Sequence, residues 1–469
     1  MSIVMKFGGT SVADAAALQN VARVVAAQRE ASPVVVVSAM SGVTDALLAS
    51  VRLATERGAE EAITSLNSTF ERHRVATEQL LSAGAAKEFL AYLNAAAAQI
   101  EKSLQEIAER SGDRRAMQDA VVSWGELLSS RLLAEVLKDH GVEARQVHPR
   151  ECIITNEEYT CAAPLMTETF ALSQERLLPL TEEQVVPVVG GFVGATKEGT
   201  TTTIGRGGSD YTAAILGAAL RSKEIQIWTD VTGVLTADPR VVPDAKTVER
   251  LSYSEAAELA YFGAKVLHPK TIQPAIEDRI PVRICNSRQP EKRGTLVSRQ
   301  TKRSARTIKA IAHKTGVTTV QITSARMLGA YGFLRALFEV FDRHRTVVDI
   351  VTTSEVSVSL SLDDDSALPA IIKELEQLGT VRVERGRGII CVVGEGLRST
   401  PGVAARVFST ISDINVTLIS QGASSINITF AIEETRVAEA VQRLHDAFFD
   451  EAAATPQRWE RRRLVCALA

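Results

Sequence analysis

Two glycine-rich turns carry the residue types in this chain best suited to chemistry. The first, Lys6-Phe7-Gly8-Gly9-Thr10-Ser11, follows a short apolar run; the second is Gly205-Arg206-Gly207-Gly208-Ser209-Asp210. Glycines let backbone N–H groups approach phosphate oxygens with no Cβ in the way. A lysine at a strand end adds positive charge where negative charge develops on a transferring group. Neither turn has the Gly-x-x-x-x-Gly-Lys-Ser/Thr pattern. One Gly-Gly pair alone reads as a tight turn. Two of them, one with Lys6 and the other with Arg206 and Asp210, point to phosphoryl transfer.

Such turns must be held by strands. Short β-branched runs recur at residues 3–5, 34–37, 185–189, 225–228 and 281–284, and helical stretches such as 14–28 and 127–138 alternate with them. Runs without polar alternation are buried on both faces, so the pattern predicts an α/β fold with a largely parallel sheet covered by helices on both sides. Residues 45–109 are rich in Ala, Leu, Glu and Gln and read as a helical excursion, with His73 a surface imidazole. Residues 287–307 are basic, lack apolar periodicity and read as a connector.

The chain has 469 residues, too many for one growing core, so two or three domains are expected. Its net charge of −3 gives no electrostatic reason to expect nucleic acid. Five scattered cysteines without a Cys-x-x-Cys pair argue for reduced thiols in a cytoplasmic protein. No segment reaches the roughly 18 apolar residues that a membrane span needs, so no membrane partner is expected.

Towards its end the chain repeats itself. Gly332-Phe333-Leu334 through Phe338 and Phe341 is answered by Gly402-Val403-Ala404 through Phe408 and Ile411, an offset of about 70 positions. Each copy continues into residues of strand type, at 347–351 and 356–360 and at 415–419 and 426–430. The order strand, helix, strand, strand suggests two α+β modules of the split βαβ kind.

The motifs Lys6 to Val12, Ser123-Trp124-Gly125-Glu126, Gly205 to Asp210, Trp228-Thr229-Asp230-Val231, Asp238-Pro239-Arg240 and Phe262 to Pro269 occur in the order and approximate spacing of the aspartate kinases. The chain resembles the monofunctional, lysine-sensitive type over nearly its whole length. That resemblance implies an amino-acid kinase fold over residues 1–300 and two ACT modules. The first ACT module would span 308–385, completed by 455–469, and the second 386–454. It also implies transfer of a phosphoryl group from Mg-ATP to the β-carboxylate of L-aspartate, giving 4-phospho-L-aspartate. This is the first step of lysine, threonine and methionine biosynthesis. A carboxylate is already an ionised nucleophile at neutral pH, which agrees with the lack of a His or Cys catalytic arrangement.

Carried onto this sequence, the resemblance makes Lys6 and Asp210 catalytic. Ser38, Ala39, Thr44, Glu126, Arg206, Gly208, Ser209 and Asp210 would bind the amino acid, Arg206 at its α-carboxylate and Glu126 at its α-ammonium. Lys6, Phe7, Gly8, Gly9, Thr229, Asp230, Leu235, Arg240 and Lys265 would bind ATP, with Mg²⁺ carried by its phosphates and no dedicated protein metal site. Read alone, Glu126 is a first-turn helix carboxylate and Asp210 an N-cap. The effector, lysine first and threonine second, would meet Met327, Ala330, Phe333, Leu334, Val348, Asp349, Thr353, Ser354 and Glu355, its ε-ammonium held by Asp349 and Glu355. Phe338 and Phe341 would form the module core, and ACT pairing implies a homo-oligomer. The alternatives are a related kinase with another acceptor and a non-catalytic amino-acid sensor.

Overall fold

The computed structural model describes residues 2–263, 267–299, 307–329, 331–422 and 424–450. Its contacts divide the chain into two units. The first holds the chain as far as Val234, Glu249–Tyr253 and residues 267–299; the second holds Leu235–Val248, residues 254–263 and residues 307–450. Two stretches inside the expected 1–300 span therefore group with the second unit.

In the first unit the β-branched runs become an eight-stranded sheet. Its order is Ala144–Val147, Val186–Gly190, Pro33–Val37, Ile3–Phe7, Glu224–Thr229, Val282–Asn286, Thr295–Ser298 and Arg250–Ser252. Every neighbouring pair is parallel except Val282–Asn286 with Thr295–Ser298. Successive side chains of a strand point to opposite faces. Met5 and Phe7 accordingly join Leu18 of helix Ala15–Ala26 and Leu132 of helix Arg114–Asp139 in one core. Val4 faces the other way, towards Gly217 of helix Gly208–Ala219. Each such fully buried side chain contributes about 1.5–3 kcal/mol.

The 45–109 stretch is helical as read, forming Val43–Arg57, Ala59–Ser65, Asn67–Leu80 and Ala83–Ala108. His73 is not on the surface. It is fully buried in Asn67–Leu80 with Nδ1 against the Thr69 carbonyl at 2.8 Å, and burial pushes its pKa down to about 4. Nor is 287–307 only a connector, because Thr295–Ser298 is paired on both sides in the sheet.

The second unit contains a six-stranded antiparallel sheet ordered Val351–Thr353, Ser357–Leu362, Ile308–Thr323, Thr380–Gly394, Asn427–Glu433 and Val416–Gln421. Its two long central strands serve both modules. Residues 317–323 pair with 387–380 beside helices Phe333–Arg343 and Leu368–Leu375, around a core of Val320, Ile322, Leu337, Phe341 and Leu360. Residues 308–314 pair with 394–389 under helices Val403–Thr410 and Val437–Phe449, around Ile311, Val392, Phe430 and Leu444. The second module thus takes its last strand from the segment that opens the first, a completion not anticipated from sequence. The segment 455–469, expected to complete the first module, lies outside the described residues.

The two repeat helices are each entered through a glycine in the left-handed region, Gly332 at φ 81° and Gly402 at φ 83°. That conformation disfavours any Cβ and accounts for the repeated residue type. Of the predicted core pair, Phe341 is buried but Phe338 is 37% exposed.

Candidate active site

In a parallel sheet the C-terminal ends of the strands share one edge, and ligands bind outside it where the chain connections diverge. Ile3–Phe7 lies between Pro33–Val37 and Glu224–Thr229, so Lys6, Ser38, Phe192 and Asp230 arrive near the same edge. A cavity of about 520 Å³ opens there, lined by Lys6, Ala39, Thr44, Glu126, Arg206 and Asp210 among others.

Lys6 Nζ lies 2.6 Å from Asp210 Oδ1, with both side chains largely buried. The carboxylate holds the ammonium at the cavity wall and offsets the cost of desolvating it. Asp210 is not an N-cap. Gly207 occupies that position at φ 73°, and Asp210 lies in the first turn of helix Gly208–Ala219, where the helix dipole favours its negative charge.

Glu126 is not a first-turn residue either. It sits in the middle of helix Arg114–Asp139 and is 3% exposed. Burial pushes its pKa up to about 8, opposed by the Ala39 N–H, which donates to Oε1 at 3.2 Å, and by the nearby charge of Lys6. Its other oxygen, Oε2, has no hydrogen-bond partner among the described residues. A buried carboxylate oxygen left unpaired beside a cavity is suited to a cationic ligand group. Arg206 is exposed between Gly205 and Gly207, at φ 79° and 73°, and makes no ion pair among the described residues. The cavity is therefore lined both by a carboxylate oxygen and by a guanidinium that have no charged partner among the described residues.

At the first glycine turn, Gly8 N–H donates to Trp228 O at 3.1 Å, continuing the strand ladder. That N–H is thus engaged within the protein, whereas the expectation had it facing phosphate. Gly9 opens a short 3-10 turn, so its amide has no helical partner, and a Cβ there would meet Ala39 O at 2.9 Å. Phe7 is buried in the core against Trp228, ring centroids 5.8 Å apart. Ser38 N–H donates to Phe7 O, Thr44 lies in the first turn of Val43–Arg57, and Gly208 and Ser209 begin their helix at the cavity. Thr229 ends its strand with its hydroxyl on Asp230 at 3.2 Å.

Leu235 and Arg240 belong to the second unit, where Arg240 is engaged with Asp238 at 2.6 Å and exposed. Lys265 lies outside the described residues, as does Ala330.

Sequence reasoning missed Gln118, Asp119, Thr160, Phe192 and Thr203, which also line the cavity. Asp119 and Val122 precede Glu126 by seven and four positions, the spacing of one helix face, and that period was the available signal. Phe192 adopts φ 67°, in the left-handed region. No group of His, Cys, Asp or Glu among the described residues is arranged to hold a metal ion.

In the second unit Asp349 is nearly inaccessible. It is paired with Lys314 Nζ at 3.0 Å and accepts the Tyr261 hydroxyl, while Lys314 also contacts Asp363 at 2.6 Å. Met327, Phe333 and Val348 pack against the first-module core. Leu334, Thr353, Ser354 and Glu355 are exposed, and Ser354 is bonded to Ser357 at 2.7 Å. The structure thus brings Lys6, Gly9, Ser38, Ala39, Thr44, Glu126, Arg206, Gly208, Ser209 and Asp210 to one cavity, whose lining does not include Phe7, Gly8, Thr229 or Asp230, while the expected effector residues divide between core and surface.

Residues 1–286 match the model of the amino acid kinase family and residues 390–448 that of the ACT domain. The chain is 37% identical over 461 residues to lysine-sensitive aspartokinase 3 of Escherichia coli, covering 96% of this chain and 99% of that one. The chain belongs to the aspartokinase family. It is also 39% identical to the chloroplastic aspartokinase 1 of Arabidopsis thaliana, over 96% of this chain and 80% of the relative. Two crystal structures of E. coli aspartokinase III resemble this aspartokinase family member, each at TM-score 0.80 and 36% identity, over 96% of this chain and 100% of the other. One holds aspartate and ADP in an R-state, the other lysine and aspartate in a T-state. Among the described residues no helix is long and apolar enough to cross a membrane.

Proposed function

We propose that this protein transfers the γ-phosphoryl group of ATP to the β-carboxylate of L-aspartate, giving 4-phospho-L-aspartate and ADP. The observation that carries the reading is the buried, half-unpaired Glu126 carboxylate in the same cavity as the Lys6–Asp210 pair and the unpaired Arg206. Glu126 takes the α-ammonium and Arg206 the α-carboxylate, which leaves the side-chain carboxylate to meet the phosphate held near Lys6. An oxygen of that carboxylate bonds to the γ-phosphorus as the bond to the β-phosphate oxygen breaks. Lys6 and the Gly9 amide balance the charge on the transferring oxygens. Mg²⁺ bound to the ATP phosphates supplies further neutralisation.

The ACT modules make the enzyme responsive to an end-product amino acid, with lysine favoured by the relative crystallised with it. Asp349 already binds one ammonium, that of Lys314, so an effector ε-ammonium must displace it. The exposed apolar side chains Leu328, Tyr331, Phe338, Val347 and Val351 support a homo-oligomer built on the first module. The free thiols of the described cysteines suit a cytoplasmic setting.

The test is aspartyl-hydroxamate formation from aspartate and Mg-ATP, repeated with lysine, threonine and both. Hydroxamate with aspartate, suppressed by lysine, is expected. Nucleotide binding without transfer to aspartate at any Mg²⁺ concentration would overturn the reading, and transfer to glutamate instead would reassign the acceptor.

A further inference from the structure

The helix that carries Glu126 also carries Asp119, seven positions earlier on the same stripe and about 10 Å away along the axis. Asp119 is 1% exposed and uses both of its oxygens. Oδ2 accepts the backbone N–H of Thr160 at 2.8 Å and that of Thr203 at 2.9 Å; Oδ1 accepts the Thr203 hydroxyl at 2.7 Å. Thr203 ends the strand Thr201–Thr203, and the chain then runs through Ile204 and Gly205 to Arg206.

Arg206 stands between two glycines in the left-handed region, where the backbone has wide freedom and no side chain to restrain it. On its far side the start of helix Gly208–Ala219 is tied to the segment after strand Val186–Gly190: Thr212 Oγ1, which donates to Gly208 O one turn earlier in its own helix at 2.9 Å, accepts Phe192 N–H at 3.0 Å. On its near side the hydrogen bonds to Asp119 attach the root of the loop to the Glu126 helix. A carboxylate receiving three donors in a buried site is rigid, because each donor left unpaired would carry its own desolvation penalty.

We infer that Asp119 is a positioning residue that sets the separation between Glu126 and Arg206, and with it the selection of an α-amino acid by its ammonium and carboxylate together. Both of its oxygens are taken up by Thr160 and Thr203, so it acts through those residues. Burial raises its pKa, and the three donors act in the opposite direction. An asparagine of the same shape can keep the geometry, its oxygen facing the two backbone N–H groups and its amide donating to the Thr203 hydroxyl.

The inference rests on the proposed aspartate site, and the experiment separates the two. Steady-state aspartate and ATP parameters are measured by the hydroxamate assay for the full chain, Asp119→Ala, Asp119→Asn, Thr203→Val, Arg206→Ala and the Asp119→Ala/Arg206→Ala pair. Asp119→Ala is expected to raise the aspartate KM about 10-fold or more while the ATP KM and kcat change less than about 3-fold. Asp119→Asn should restore the aspartate KM, and Thr203→Val should raise it by a smaller factor. In the Arg206→Ala background, Asp119→Ala should add little, because the group it positions is already gone.

An unchanged aspartate KM in folded Asp119→Ala overturns the inference. So do equal rises in the aspartate and ATP KM, or penalties that multiply fully with Arg206→Ala. If Asp119→Ala does not fold, Thr203→Val decides, and an aspartate KM equal to that of the unsubstituted protein overturns it. Failure of the unsubstituted protein to phosphorylate aspartate strikes the proposed function instead.

Discussion

With the α-ammonium on Glu126, as proposed, aspartate binding should depend on protons in a calculable way. Burial pushes the Glu126 pKa up to about 8, outweighing the Ala39 N–H and the charge of Lys6. An α-ammonium pairs only with the ionised form, so the free enzyme must lose that proton to bind. With an intrinsic affinity K, the apparent dissociation constant is K(1 + 10^(8 − pH)). Affinity is then about 100-fold below its limit at pH 6, about 10-fold below at pH 7 and within about 2-fold at pH 8. About 0.9 proton should be released per aspartate bound at pH 7. Titration calorimetry in two buffers of different ionisation enthalpy measures that number, and aspartate KM between pH 6 and 8.5 gives the slope.

Glu126→Gln should bind aspartate weakly with a flat profile. It should also change stability with a definite sign. A carboxyl whose pKa is raised by folding contributes fully below the unfolded value near 4.5, and its contribution falls as pH rises towards 8, by at most roughly 1.4 kcal/mol per pH unit. The variant should therefore melt higher than the unsubstituted protein at pH 8 and lose that advantage at pH 5. Aspartate binding at pH 7 without proton release, or a steep profile that survives in Glu126→Gln, would refute the reasoning.

Lys6→Ala should lower kcat by about 10²- to 10⁴-fold with the fold retained, at some cost in melting temperature because Asp210 loses its partner; near-normal turnover would remove Lys6 from catalysis. Arg206→Ala should raise the aspartate KM by about 10- to 100-fold through loss of a charged hydrogen-bond pair, with the ATP KM as its control. Asp349→Ala should abolish lysine inhibition in the hydroxamate assay, and inhibition at an unchanged lysine concentration would move the effector site elsewhere. Lys314→Gln should instead lower the lysine concentration needed, because it removes the internal ammonium now on Asp349; a higher requirement would show that Lys314 supports the site.

The chemistry-bearing turns were legible in the sequence because local backbone geometry selects their residue types. Left-handed Gly207 and the close approach of Ala39 O to Gly9 each require a missing Cβ, whatever the rest of the chain does. Continuous β-branched runs such as residues 34–37 announced a sheet buried on both faces, and the repeat announced two related modules, because those patterns reflect burial along a single element.

Contacts between distant segments were not legible. Nothing local distinguishes Glu126 in mid-helix from a first-turn carboxylate, and its raised pKa exists only because other elements exclude water from it. His73 read as a surface residue until its neighbours buried it. Gly8 kept the expected residue type but gave its N–H to Trp228, on a strand far along the chain. The Asp349 carboxylate, sound in type for an ammonium, proved to be matched already by Lys314. The second module's use of a strand from the segment that opens the first depends on pairing residues 308–314 with 394–389, a register that no periodicity encodes. Sequence alone determined which side chains and turns this protein possesses, since residue type and local conformation travel together. The tertiary structure decided which of those groups face one another, how dry each one is and therefore what charge it bears, because desolvation and pairing arise only when remote parts of the chain meet.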